Sequence, residues 1–357
     1  MTRLHRRTTG FIALVLSASL LAAACGDDNG ASEETATTTQ DEGATPADEV
    51  TDETITIGLV RQIAAGDYFE QWEEGAKAEA DRLGVELQIF NAGGDNAQQA
   101  LDFESALNAG VDAIAVDHGV PETMQPAIAL ALEAGVPVVA FDVDPGDPSV
   151  PEIFQSDGLL AQLALDQMIA DIGGEGDVIY VYVAGFAPLD RRDEVWQAVK
   201  GENPGLNEVA QIGAVNDSIV STVADQAKAA LQANPDTVAV FAPFDEFAKG
   251  ATLAIEELGL QDQVKVYGAD ISTADIAVMT AEGSPWVATA TTDPSNVGRV
   301  TIRAAYLAAL GEKLPNPILI PPLLITQDDL RENGVTDMAG LVAAFPALET
   351  ADLIPVG

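Results

Sequence analysis

The chain has 357 residues, 47% of them hydrophobic, and carries 16 Lys and Arg against 57 Asp and Glu, a formal charge of -41. That length gives room for about two domains, each large enough for its own core. The charge repels phosphate backbones and anionic headgroups, which excludes nucleic acid from the expected partners.

At the N-terminus Arg3, Arg6 and Arg7 precede the apolar run Phe11 to Ala24. A basic segment followed by an apolar stretch too short to span a bilayer comfortably reads as a secretory signal over residues 1–24. Ala22, Ala23 and Ala24 then lead into Cys25, Gly26 and Asp27. This resembles a bacterial lipobox, although Ala22 stands where Leu is usual and Leu21 lies one residue further away. The resemblance implies lipidation at Cys25, and so an exported protein held on the outer face of the cytoplasmic membrane by its lipid alone. Cys25 is the only cysteine, so no disulfide forms within the chain and packing must stabilise it. Residues 25–53 are acidic and nearly free of apolar side chains, a composition that cannot fold. They read as a tether with a reach of about 30 Å.

Periodic structure starts at Thr54. TITIGLV is a predicted strand, Tyr68 to Leu83 a helix stopped by Gly84, VELQIFN a strand, and Asn96 to Ala109 a helix stopped by Gly110. AIAVDHG, a helix from Thr123 to Glu133 and a strand from Val136 follow. The rhythm then restarts. Helices are expected at Leu159 to Ile172, Asp193 to Lys200, Ser221 to Ala233, Glu246 to Leu258 and Thr273 to Ala281, alternating with VIYVYVA, VAQIGAV, TVAVFA, VKVYGAD and WVATAT. A helix from Pro294 to Leu310, a short strand LLIT and a weakly periodic tail complete the chain. Such alternation requires crossovers, which predicts an α/β protein of two similar doubly wound parallel sheets.

Four strands end on polar groups. VPVVAFDVDPGDP places Asp142 and Asp144 at a carboxyl end, AIAVDHG places Asp117 and His118, AVFAPFDE ends on Asp245, and VKVYGAD ends on Asp270. Open α/β sheets bind ligands at that rim, and several acids there suggest an acceptor-rich cleft for a small polar molecule. An Asp after a strand also serves as the N-cap of the next helix, and Asp245 and Asp270 are open to that alternative.

IGLV, EEGAKAEADRLGVEL, NAGVDAIAV, EAGVPVVAFDVD, ANPDTVAVFAPFDEFAKGA and VKVYGADIS occur in the order seen in ribose-type sugar-binding proteins of ABC importers, which the chain resembles over about residues 54 to 326. The resemblance implies two lobes joined by a three-segment hinge, with the cleft between them. Lobe one would comprise 54–156 plus 294–322 and lobe two 157–293 plus 323–357. GDYFEQW matches the segment that lays aromatics on a sugar ring, implicating Asp67, Tyr68 and Phe69, because the apolar C–H faces of sugars stack on such rings. Asp117 with His118, and Asp142, fall at polar contact positions, although Val143 follows where Arg is common. PLDRRDEVW offers Arg191 or Arg192, which could equally form a salt-bridge clamp. Asn216, Asp270 and the hinge residue Asp293 complete the expected set.

Phe244 replaces a usual Asn and precedes Asp245. A ring there predicts a ligand with an apolar edge, such as a deoxy sugar, and poor binding of ribose. The expected role is capture of a sugar or polyol for a membrane permease, by a monomer without cofactor or metal. The alternatives are a sensor subunit that presents the ligand to a receptor, or a carbohydrate-active hydrolase. Against the hydrolase stand the lack of a GxSxG or HExxH motif and the presence of a single histidine, His118, beyond the signal.

Overall fold

The computed structural model describes residues 54–216 and 218–356. The expected signal, tether and Cys25 lie outside these residues. In chain order the elements are β1 (Thr56–Arg61), α1 (Asp67–Leu83), β2 (Glu86–Asn91), α2 (Asn96–Ala109), β3 (Ala113–Asp117), α3 (Pro121–Glu133), β4 (Val138–Phe141) and β5 (Glu152–Phe154). Next come α4 (Asp157–Ile172), β6 (Glu175–Val181), α5 (Ala187–Glu202), β7 (Gly205–Ile212), α6 (Ile219–Ala233), β8 (Thr237–Ala242), α7 (Asp245–Leu258), β9 (Lys265–Ala269), α8 (Thr273–Thr280) and β10 (Trp286–Thr291). The last are α9 (Pro294–Ala309), β11 (Ile318–Leu319), β12 (Leu323–Thr326), α10 (Gln327–Glu332) and α11 (Met338–Ala344).

Local chemistry sets several boundaries. Asp95 opens α2 by accepting from the N–H groups of Ala97 and Gln98, and Gly110 closes it in a left-handed conformation, the arrangement expected of a capped helix with a glycine stop. The helix carrying the arginine pair starts at Ala187, six residues before its expected start. Pro188 lies in its first turn, where the missing N–H costs nothing. Both arginines therefore sit on a rigid helix rather than on a loop.

The strands form two six-stranded sheets, ordered β11-β5-β4-β3-β1-β2 and β12-β10-β9-β8-β6-β7. The second order repeats the first, strand for strand. Pairing is parallel except between β10 and β12, which is antiparallel and departs from the wholly parallel expectation. Both faces of each sheet are covered. In β3, Ala113 and Ala115 join one core cluster while Ile114 and Val116 join the other. In β6, Ile179 and Val181 alternate in the same way with Val178 and Tyr180. Strands buried on both faces read as continuous apolar runs.

The chain passes from the first sheet to the second between β5 and α4, back between β10 and α9, and again to the second between β11 and β12. Helix α9 packs against α1 at backbone contact. A Cβ on Gly75 would lie 1.9 Å from the Ser295 carbonyl oxygen, and one on Gly298 would lie 2.1 Å from that of Trp72. The two glycines thus allow the helices to touch, which seats α9 on lobe one.

The tail differs from expectation. Leu341 and Leu348 belong to the lobe-two core, but Ile354, 2% exposed, packs into the core of lobe one. The Nη1 of Arg303 on α9 donates to the Ala351 carbonyl at 2.6 Å, and Asn296 bonds the Thr350 hydroxyl. The last residues therefore leave lobe two, because these polar groups and the apolar Ile354 find their partners on α9 and its neighbours.

Candidate ligand-binding site

Parallel register brings the first cluster together. Arg61 at the end of β1 stands opposite Asp117 at the end of β3, and its Nε donates to Asp117 Oδ2 at 2.8 Å. The same guanidinium donates to the Phe69 carbonyl at 3.1 Å and pairs with Glu73. It thereby fixes the start of α1 beneath the aromatic pair. The other oxygen of Asp117 holds His118 Nδ1 at 2.6 Å, so that His118 Nε2 faces Asp142 Oδ2 at 3.9 Å. Burial penalises the Asp117 carboxylate, but Arg61 and His118 outweigh it and hold the group below its ordinary range. Burial likewise disfavours the His118 imidazolium, and the hydrogen bond and charge of Asp117, with Asp142 and Asp157, more than offset it and raise the imidazole.

Among the described residues, four non-glycine residues adopt positive φ: His118 (58°), Asp142 (52°), Ser156 (53°) and Asp270 (69°). Three of them terminate strands at the cleft and the fourth lies at a lobe crossing. Left-handed backbone costs a side-chain-bearing residue about 1–2 kcal/mol, although Asp and His tolerate it better than most. Ladder hydrogen bonds hold the strand ends in place. The His118 N–H donates to the Phe141 carbonyl at 2.8 Å, that of Asp142 to Ile153 at 3.1 Å, and that of Asp270 to Ala290 at 2.8 Å. Strain concentrated in this way accompanies functional sites.

Lobe two supplies the arginine pair. Arg192 is buried, with Nε on Asp157 Oδ1 at 2.8 Å, while Nη1 donates to Asp270 Oδ2 at 2.9 Å and to the Pro243 carbonyl at 2.8 Å. Arg191, 29% exposed, donates to Asp157 Oδ2 at 2.8 Å and pairs across the cleft with Asp142. Its guanidinium lies 4.6 Å from the centre of the Phe154 ring. One arginine thus braces lobe two internally, and the other bridges the lobes.

Between them lies a cavity of about 50 Å³. Ile63, Tyr68, Phe69 and His118 line it from lobe one, and Gln155 lines it from the crossing. Lobe two contributes Phe186, Pro188, Leu189, Val215 and Phe244, with Arg192 and Asp270 beside them. Phe69 and Phe244 approach across the cleft with ring centroids 6.5 Å apart. The Tyr68 hydroxyl and Asp142 Oδ2 are buried and make no hydrogen bond within the described residues, a costly state that hydroxyl groups of a ligand would relieve.

Of the expected site residues, Tyr68, Phe69, His118, Arg192, Phe244 and Asp270 line the cavity. Asp142 and Arg191 meet at its edge, and Asp117 braces His118 from behind. The rest are placed elsewhere. Asp144 is exposed and accepts from the Gly146 N–H at 2.9 Å. Asn216 is exposed and caps Ser218 at 2.8 Å. Asp293 caps α9 through Ser295 N at 3.0 Å. Asp245 turns into its own helix, accepting from Glu246 N at 2.8 Å, and Asp67 meets Lys249. Local capping captures all of these short polar side chains but Asp67, as it does at many strand and helix ends. Apart from Phe244, the apolar lining of lobe two has no counterpart among the expected residues. Its Pro188 and Leu189 sit beside the arginines in the first turn of α5, which starts six residues ahead of the expected helix.

The periplasmic binding protein domain family matches residues 57–313. The ribose import binding protein of Bacillus subtilis is 28% identical over 287 residues, 80% of this chain and 91% of that protein. The crystal structure of the 5-methylthioribose transporter solute binding protein of Thermotoga lettingae, in complex with 5-methylthioribose, superposes with a TM-score of 0.83 at 45% identity, covering 85% of this chain and 96% of the other. A sugar ABC transporter protein of Yersinia enterocolitica gives a TM-score of 0.81 at 27% identity, covering 84% and 92%.

Proposed function

The chain belongs to the periplasmic binding protein family, and from that premise we propose that it captures a pentose bearing an apolar substituent, of the 5-methylthioribose type, and delivers it to an ABC-importer permease. The family consists of extracytoplasmic sugar-binding transport proteins, which are not enzymes. The observation that carries the choice of ligand is the asymmetry of the cavity between the lobes. Its lobe-one side offers the unpartnered Tyr68 hydroxyl, with the unpartnered Asp142 oxygen next to the lining residue His118, while its lobe-two side is the apolar group around Phe244 together with Arg192 and Asp270, which are paired with each other. Ring hydroxyls suit the first and a thioether or methyl group the second. The similarity to the methylthioribose-binding protein supports the same reading.

Calorimetry with 5-methylthioribose, 5-deoxyribose and ribose tests the proposal. Methylthioribose carries two apolar heavy atoms, sulfur and a methyl carbon, where ribose carries its polar 5-hydroxyl oxygen; burying them contributes about 1.5 kcal/mol, so methylthioribose is expected to bind about tenfold more tightly than ribose. Ribose binding as tightly as methylthioribose overturns the assignment.

The membrane attachment is part of the same proposal. The basic segment, the apolar run and the AAAC sequence ending at Cys25 support a lipid anchor, and no helix among the described residues is long and apolar enough to cross a membrane. Cys25→Ser should move the protein from the detergent phase to the aqueous phase, and unchanged partitioning removes the anchor.

A further inference from the structure

One ion pair joins the lobes without lining the cavity. Lys249 Nζ on α7 donates to Asp67 Oδ2 on α1 at 2.9 Å, and the same ammonium contacts Glu246 and, at 3.3 Å, Asp275 Oδ1. Lys249 is one of 16 bases in a chain with 57 acids, and its side chain is only 12% exposed. On lobe two it is surrounded by negative charge. Glu246 lies one turn before it on the same helix, and Asp275 on α8 is buried beside Asp245. Asp245 Oδ2 and both Asp275 oxygens accept no hydrogen bond from the described residues. Burial pushes both carboxyls above their ordinary range; at Asp245 the charge of Asp275 adds to it against Lys249, and at Asp275 burial prevails over Lys249, Ser272 and Asp245. An ammonium in this position is held to lobe two whether or not lobe one is near.

On the other side Asp67 is 41% exposed and has Lys249 as its cross-cleft partner. The loop that precedes it also rests on α7, since a Cβ on Gly66 would lie 3.3 Å from Glu246 Oε1. Of the contacts made by Lys249, separating the lobes therefore breaks only the one to Asp67. Lys249 keeps its lobe-two carboxylates, and the exposed Asp67 regains water at little cost.

We infer that Asp67 and Lys249 form an interlobe clasp, a pair of positioning residues that sets how much of the protein is closed and hence how long any ligand is retained, without choosing the ligand. The inference rests on the two-lobe capture reading but not on the identity of the sugar. Hinge closure over the ligand is the motion concerned, and apparent affinity scales with the fraction of protein in the competent state. Arg191 also spans the cleft, but it does so at the cavity edge through Asp142, where its loss would alter selectivity as well.

The test uses the full chain with Asp67→Asn and Asp67→Glu, and ribose and 5-methylthioribose as probes in stopped-flow and calorimetry. Asp67→Asn is expected to speed dissociation of both sugars by one common factor of about two to five. It should raise both dissociation constants alike and leave the ratio between the sugars unchanged. The affinity of Asp67→Asn should depend less on salt than that of wild type, and Asp67→Glu should recover part of the loss. Small-angle scattering provides an arm that needs no ligand, with Asp67→Asn giving a larger mean radius than wild type. Unequal factors for the two sugars would make Asp67 a ligand contact and overturn the clasp. Unchanged rates overturn it too, and if neither sugar binds, superimposable scattering profiles do the same. Failure of the ligand assignment alone would leave the scattering difference standing.

Discussion

Strands β3 and β8 hold the same place in their sheets, β3 between β4 and β1, β8 between β9 and β6, and they face each other across the cleft. After β3 the chain delivers Asp117 and His118, tied into a buried network with Arg61 and aimed at Asp142. After β8 it delivers Pro243 and Phe244, whose ring packs on Phe247 at 5.2 Å and borders the cores of both lobes. The neighbouring strands β4 and β9 both end in an Asp with positive φ, Asp142 and Asp270. Their fates differ. Asp270 is occupied by Arg192, whereas Asp142 keeps one buried oxygen without a hydrogen bond. The fold therefore fixes where side chains enter the cleft, and the residues at those points make one wall polar and receptive and the other apolar and internally satisfied.

The largest expected effect tests whether the lobe-two charges serve structure. Arg192 neutralises Asp157 and Asp270 while buried. Burial opposes its charge, yet Asp270 and Asp157 outweigh that and raise its pKa. Arg192→Leu would leave two buried carboxylates without this partner and should cost about 3–5 kcal/mol of stability, read as a lower denaturation midpoint. Normal stability with lost binding would break the comparison, since lobe two would then read the ligand through charge as lobe one does.

On lobe one, Asp142→Ala should weaken sugar binding about ten- to a hundredfold, from about 1–3 kcal/mol for stranded donors, as measured by calorimetry. Burial and then Asp157 act against Arg191, His118 and Arg192 and push Asp142 up to about 7. Its folded pKa thus lies above the ordinary carboxylate value. The associated stability is fully present below that ordinary value and is lost as pH rises through about 7. Urea midpoints between pH 4 and 8 should fall more steeply for wild type than for Asp142→Asn, and parallel curves would place no such proton on Asp142.

The strand ends were legible because buried parallel strands have a continuous apolar signature that stops at the rim, and Asp117, His118, Asp142 and Asp270 were found in this way. What lay hidden depends on rotamer and partner. Asp144, Asp293 and Asn216 share the sequence signature of rim residues, but each satisfies a nearby N–H instead. Strands β5 and β11 have three and two residues, too few for a periodic pattern. The pairing of Asp67 with Lys249 spans 182 positions and depends on both lobes being placed. Phe244 was the exception, since its departure from an expected amide was visible in sequence and predicted an apolar edge on the ligand.

Phe244→Asn converts that wall toward the polar type. The ratio of methylthioribose to ribose affinity should fall about tenfold, the scale of one or two methylene groups in an apolar pocket. Measuring the ratio removes any shared change in lobe closure. An unaltered ratio would assign Phe244 to packing between the cores and leave the selectivity to Phe186, Leu189 and Val215.

The smallest effect concerns one oxygen atom and discriminates by sign. The Tyr68 hydroxyl is buried at the polar wall with no hydrogen-bond partner in the described residues, and its ring meets Phe69 edge to face at 5.4 Å. A hydroxyl held there for structure would weaken the ligand-free protein when removed. One held for the ligand already lacks its bond in the ligand-free protein, so Tyr68→Phe should leave the unliganded melting temperature unchanged or slightly higher. The loss should appear only on binding, at about 0.5–1.5 kcal/mol for one neutral hydrogen bond, a factor of about two to twelve in Kd. It should be equal for ribose and methylthioribose, because Tyr68 lies on the wall assigned to ring hydroxyls rather than to the substituent. A lower melting temperature with unchanged affinity would make Tyr68 a core residue. A loss confined to methylthioribose would place the substituent against lobe one and reverse the assignment of the two walls.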